Sequence, residues 1–166
     1  MSVERAKGRY YGKYRGIVIS NEDPLRLGRV KVIVPNMILD DQYSWALPAL
    51  PYAGDGVGLY LVPPLKASVW VEFEQGDAEY PVWTGCFWHE NEVPKEASGP
   101  DIKLLKTKTC TITINDLIGS ISIEIPNNKA KIEITPEGIE INSGNGASVK
   151  LTGPQVSINE GALEVI

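Results

Sequence analysis

From Ile112 onward the chain repeats one motif, two or three aliphatic residues at alternate positions closed off by turn formers. These groups are Ile112/Ile114, Ile121/Ile123/Ile125, Ile132/Ile134, Ile139/Ile141, Val149/Leu151, Val156/Ile158 and Leu163/Val165. Alternation at period two marks a strand with one apolar face, and the Asn, Gly and Pro clusters between the groups are turns. The first members stand 9, 11, 7, 10, 7 and 7 residues apart, so each rung is too short to complete a multi-sided coil alone. No aromatic residue follows Trp88. A single chain builds no thick core from so few side chains per rung, so the face is sealed either by a one-chain β-helix closing on itself or by identical chains. The short rungs favour three chains intertwined about one axis, with Ile112, Ile114, Ile121, Ile123, Ile132, Ile134, Ile139, Ile141, Val149, Leu151, Val156 and Ile158 as the shared core.

The first half reads differently. Tyr14–Ile19 and Gly28–Val34 flank an Asn21-Glu22-Asp23-Pro24 turn and form a hairpin. Trp45-Ala46-Leu47-Pro48 leads through a Gly-rich stretch to an apolar strand, Leu59–Val62. Ser68–Glu74 alternates apolar and polar residues, and Gln75-Gly76-Asp77 turns the chain into Pro81–Trp88. Five short antiparallel strands with glycines at the bends fit an OB-type barrel, with an aromatic-rich core of its own. A polar segment bearing Pro and Gly separates the halves. The expected organisation is a barrel over 10–90, a linker over 91–103 and a β-ladder over 104–166, an all-β chain throughout.

Length and charge narrow the function. At 166 residues the chain holds one ordinary domain, or a small domain with an extended appendage, and is too short for a multidomain enzyme. No apolar run approaches a membrane span. Arg5, Lys7, Arg9, Lys13 and Arg15 interrupt the first residues, so no secretory signal is expected and synthesis should be cytoplasmic. Residues 1–39 carry 8 basic and 3 acidic side chains, residues 40–101 carry 2 and 11, and residues 102–166 carry 6 and 7. This polarity suits contact with other protein surfaces, whereas the acidic middle repels a phosphate backbone. Cys86 and Cys110 match no disulfide or metal pattern and read as reduced, small apolar packing residues.

Candidate chemistry is sparse. Glu72 and Glu74, two apart on one strand face, resemble an acid/base pair, but exposed carboxylates of this kind ordinarily pair with nearby cations. His89 with Glu90 and Glu92 lacks further rigid metal ligands. Gly54-Asp55-Gly56-Val57-Gly58 is followed by a strand rather than the helix a phosphate loop needs. Tyr10, Tyr11 and Tyr14 interleaved with Arg9, Lys13 and Arg15 form the strongest nucleic-acid signal, since OB folds stack bases on aromatics in a basic groove. An OB-fold single-stranded nucleic-acid-binding protein is therefore the alternative reading. The same basic strand equally suits an acidic protein surface.

Several segments together carry a resemblance. Gly28-Arg29-Val30-Lys31-Val32, Trp45-Ala46-Leu47-Pro48, Pro51-Tyr52-Ala53-Gly54, Trp70-Val71-Glu72-Phe73-Glu74-Gln75-Gly76-Asp77, Tyr80-Pro81-Val82-Trp83-Thr84-Gly85 and Val156–Val165 appear in one order. The chain resembles the phage baseplate assembly protein V and Vgr spike family of contractile tails and injection systems. That resemblance implies a non-enzymatic homotrimer with an OB collar and a triple-stranded β-helical needle. The needle pierces the target envelope mechanically, with possible effector cargo and a PAAR-type tip protein on its C-terminal end. Only about ten residues precede the barrel where Vgr proteins carry a hub, so the resemblance is to the phage-tail-like branch, with a separate hub protein. No lysozyme domain fits the linker, and Leu65-Lys66-Ala67-Ser68 replaces a common glycine. Some relatives bind apical iron through clustered histidines; with His89 as the single histidine, no metal or cofactor is expected. Arg9, Tyr11, Lys13 and Arg15 are the expected hub-docking residues. Leu163, Val165 and Ile166 are the expected tip platform. The expected setting is a virion, tailocin or injection-system baseplate, with no nucleic acid bound.

Overall fold

The computed structural model describes residues 8–35, 37 and 45–165. The chain divides into two compact units, Met1–Asn91 and Glu92–Ile166.

In the first unit, strands β1 (Tyr14–Ser20), β2 (Val30–Ile33), β3 (Trp45–Pro48), β6 (Ser68–Phe73) and β7 (Pro81–Phe87) close a barrel in the order β1-β2-β3-β7-β6. Two short strands, β4 (Ala53–Gly54) and β5 (Val57–Gly58), form a separate hairpin. The expected third barrel strand is thus displaced. Trp45–Pro48 occupies that position, and Leu59–Val62 is irregular, its first three residues exposed and Val62 packed against the barrel core. Nor is the barrel wholly antiparallel, since β3 runs parallel to β7, with Leu47 opposite Val82. That pairing lets a five-strand sheet close on itself and leaves no free edge.

Alternation fixes which side chains enter the barrel. Val18, Val30, Val32, Val34, Ala46, Val69, Val71, Phe73 and Trp83 form the core. Valine supplies most of it, and among the described aromatic residues only Phe73 and Trp83 are buried. Trp83 satisfies its indole by donating to the Gly28 carbonyl at 3.2 Å. A bulge between Trp70 and Val71, facing Thr84, shifts the register. Beyond it Cys86 is exposed and Cys110 is half-buried, so neither thiol is a core packing residue. Glu74 has left the strand for a 3-10 turn, Glu74–Gly76, where Gln75 has φ 51°. The proposed carboxylate pair therefore does not share a strand face.

The second unit is one eight-stranded antiparallel sheet. Its strands follow in chain order: β8 (Ile102–Lys106), β9 (Thr111–Asn115), β10 (Ser120–Ile125), β11 (Ala130–Thr135), β12 (Gly138–Asn142), β13 (Ser148–Thr152), β14 (Gln155–Ile158) and β15 (Leu163–Val165). Each pairs with its neighbour in sequence. Within one chain the rungs of this sheet are hydrogen-bonded in sequence order. Hairpins of a few residues make the next strand of the same chain the nearest partner. β8 is an additional rung, missed because Ile102-Lys103-Leu104-Leu105 does not alternate cleanly.

Candidate functional site

The register of the second unit converts seven aliphatic groups into two columns on one sheet face. Directly opposed residues project from the same side. Down one column run Ile114, Ile121, Ile134, Ile139, Leu151, Val156 and Val165; down the other run Ile112, Ile123, Ile132, Ile141, Val149, Ile158 and Leu163. The uneven spacing in sequence is absorbed entirely by the turns. Ile125 and Leu105 extend the same face, opposite Ala130 and Ile112. All twelve of the expected core residues thus lie on one surface, with Leu163 and Val165 as its last rung. Ile166 lies outside the described residues.

Among the described residues of the second unit, nothing covers that surface. Among the described residues, none of the fully buried apolar side chains lies beyond Trp83. The most exposed members of the two columns range from 37% for Ile139 to 58% for Val165. Complete burial of a Val, Leu or Ile side chain is worth about 1.5–3 kcal/mol, so roughly 0.6–1.2 kcal/mol remains to be gained at each such position. Over three copies of ten positions this is on the order of 20–35 kcal/mol, comparable with or above the ~4–15 kcal/mol lost at each association step.

The opposite face is polar and cross-linked by charge. Lys131 contacts Glu133 at 2.9 Å and Glu124 at 3.8 Å, and its pKa is raised, first through the Glu133 hydrogen bond. Glu140 stands between Glu133 and Lys150 in register. One side of the sheet is built for water and the other is not.

On the barrel, the four expected hub-docking residues lie along one N-terminal segment, and three of them are engaged by distant residues of the same barrel. Arg9 donates to the Gln75 carbonyl at 2.8 Å. Lys13 pairs with Glu72 at 3.0 Å and donates to the Thr84 hydroxyl at 3.0 Å. The Arg15 guanidinium lies over the Trp70 and Phe87 rings, 5.7 and 5.4 Å from their centroids. Tyr11 is 71% exposed. Tyr10 and Tyr14, candidates for base stacking, instead pack on Phe73, with centroids 5.9 and 5.5 Å away. His89 meets the Ser68 hydroxyl at 3.0 Å and packs edge-on against Phe87.

One important constellation escaped the sequence reading. The Asp23 carboxylate is 2% exposed and accepts bonds from the Leu25, Leu27 and Arg29 amides while pairing with the Arg29 guanidinium at 2.7 Å. The Arg29 contact holds its pKa far below the usual carboxylate range. Arg29 also covers the Trp45 ring at 5.4 Å. The Asp-Pro turn signal was visible, but the clasp joining it to β2 and β3 depends on a bond that only the folded turn creates.

A closed OB barrel followed by an antiparallel sheet with one uncovered aliphatic face defines a self-associating structural protein. The family model described as the type VI secretion system/phage-baseplate injector OB domain matches residues 14–88. A second, the phage baseplate V C-terminal trimerisation domain, matches residues 102–164. The chain belongs to the baseplate V and Vgr-type spike family, a family of structural baseplate proteins. No curated protein matches it.

Proposed function

We propose that three copies of this chain form the central spike of a contractile tail or injection-system baseplate, a purely mechanical and non-catalytic part. The observation that supports this most directly is the two-column aliphatic face, uncovered in one chain and lying within the trimerisation domain. Three such faces turned toward one axis bury their aliphatic columns and leave the Lys131, Glu133 and Glu140 faces in water. The result is a stiff needle, with β-sheet hydrogen bonds stacked along the direction of thrust. Each chain contributes the strand pairs already formed within it, and winding of the three walls about each other follows the usual twist of sheets.

The finer assignments belong to the same reading. A separate hub protein engages the collar through the segment bearing Arg9, Tyr11, Lys13 and Arg15, where the +5 segment 1–39 offers an acidic partner a complementary surface. A PAAR-type tip protein caps the last rung, where Leu163 and Val165 are 56% and 58% exposed, and effector cargo travels with the tip. Co-expression with the baseplate hub and tip proteins tests this. Removing residues 162–166 is expected to leave a trimer that retains the hub and loses the tip. Reversing Arg9, Lys13 and Arg15 to Glu is expected to do the opposite. Retention of both partners by both variants would overturn the assignments.

A further inference from the structure

The barrel carries an uncovered apolar arm. Between β3 and β6 the chain projects the β4–β5 hairpin, closed by Leu59 N–H donating to the Tyr52 carbonyl at 2.9 Å. Gly56, with φ 67°, makes its turn. Tyr52, Val57, Leu59, Tyr60 and Leu61 on this arm are 60%, 54%, 44%, 64% and 47% exposed, and Asp55 is its single charge. Five large apolar residues in ten make too dense a patch for a surface meant to stay in water. A second apolar patch lies on the outer side of β1 and β2. Ile17 stands directly opposite Ile33, Ile19 follows on the same side, and the three are 43%, 40% and 38% exposed. Arg15 and Lys31 border them, each one alternation away on the same outer face.

Three facts select the occupant. The arm and the β1–β2 patch are different surfaces of one barrel, so mutual coverage between copies is heterologous, and a heterologous contact that closes makes a ring. The first unit ends at Asn91 and β8 starts at Ile102. At most ten residues, about 33 Å of fully extended chain, therefore tether each barrel to a trimerised sheet. Tethers of that length hold the barrels at effective concentrations on the order of millimolar, enough for a modest apolar contact to form. Charge agrees, since Asp55 at the arm's tip would meet a patch bordered by Arg15 and Lys31.

We propose that the Tyr52–Leu61 arm of each barrel docks on the outer β1–β2 face of the next copy, locking the three barrels into a collar ring. This rests on the trimeric spike reading. The arm thus acts as an interchain clamp, and the collar becomes a rigid platform rather than three independently tethered barrels.

Site-specific crosslinking in the full chain tests it. In a background with Cys86 and Cys110 replaced by serine, Val57→Cys combined with Ile19→Cys should give covalent trimers with a short bismaleimide on a denaturing gel. Neither single variant should give more than traces. Light scattering on the same samples reads the assembly state independently. A full-size trimer in which the double variant fails to crosslink would overturn the arm assignment and leave the spike reading intact. Efficient linkage of Val57→Cys alone would place the arms against one another and overturn it equally. A monomer would overturn both.

Discussion

Placing a carboxylate in the aliphatic columns should abolish assembly while sparing the single sheet. Ile132 is the sharpest position. It lies between Ile123 and Ile141 in register and is 41% exposed in one chain, so Ile132→Asp in an isolated sheet leaves its charge in contact with water. In the trimer the same carboxylate would be buried three times near the axis. Loss of the remaining apolar burial costs about 0.6–1.2 kcal/mol per chain. Desolvating an unpaired carboxylate, or protonating it to avoid doing so, costs several kcal/mol more per chain. The threefold total, on the order of 10 kcal/mol or more, is enough to dissociate the assembly at micromolar concentration. Ile132→Val should cost about 0.5–1.5 kcal/mol per chain and keep the trimer. Ser157→Asp carries the same charge on the opposite face beside Lys150, and should also keep it. Size-exclusion chromatography with light scattering, alongside circular dichroism to follow strand content, reads all three. A full-size, heat-resistant trimer from Ile132→Asp would refute the reasoning.

Other perturbations probe the two units separately. Because the folded-state pKa of Asp23 is depressed, its contribution is fully present above its unfolded value near 3.9 and is lost as pH falls below it. Asp23→Asn should lower the melting temperature at pH 7, read by tryptophan fluorescence, since all four tryptophans precede residue 92. The gap to the parent should narrow below about pH 4; a constant gap down to pH 3 would contradict the clasp. Gly144 has φ 77°, and a Cβ there would stand 1.8 Å from the Asn128 carbonyl oxygen. Gly144→Ala should therefore destabilise the second unit by more than about 2 kcal/mol. Gly146→Ala, at φ 99° with open space around it, should cost only about 1 kcal/mol in denaturant titration.

The ladder was legible because period-two alternation survives any loop length. Ile112 through Val165 could be placed on one face before their register was known, and turn-forming residues marked the strand ends. What pairs with what was less legible. The spacing suggested three intertwined chains but did not show that short hairpins pair each strand with its neighbours in sequence. In the barrel, the apolar run Leu59–Val62 outweighed the equally long Trp45–Pro48, which ends in proline, in a reading based on hydrophobicity. Only the parallel pairing of Leu47 with Val82 shows which one closes the sheet. Cys86 was misread because residue type says nothing of how far along a strand the core extends: it stands opposite the buried Val69, yet near the end of β7 it is exposed. Arg9, Lys13 and Arg15 were visible as charges, but their contacts with Gln75, Glu72 and the Trp70 and Phe87 rings join positions far apart in sequence.

Two further copies of the same chain should close the second unit's uncovered face. A native mass spectrum of the full chain tests this most directly. Three copies of an 18.2 kDa chain give an assembly of about 55 kDa. That mass, persisting at sub-micromolar concentration, is the predicted result; a single species at 18.2 kDa would contradict the account.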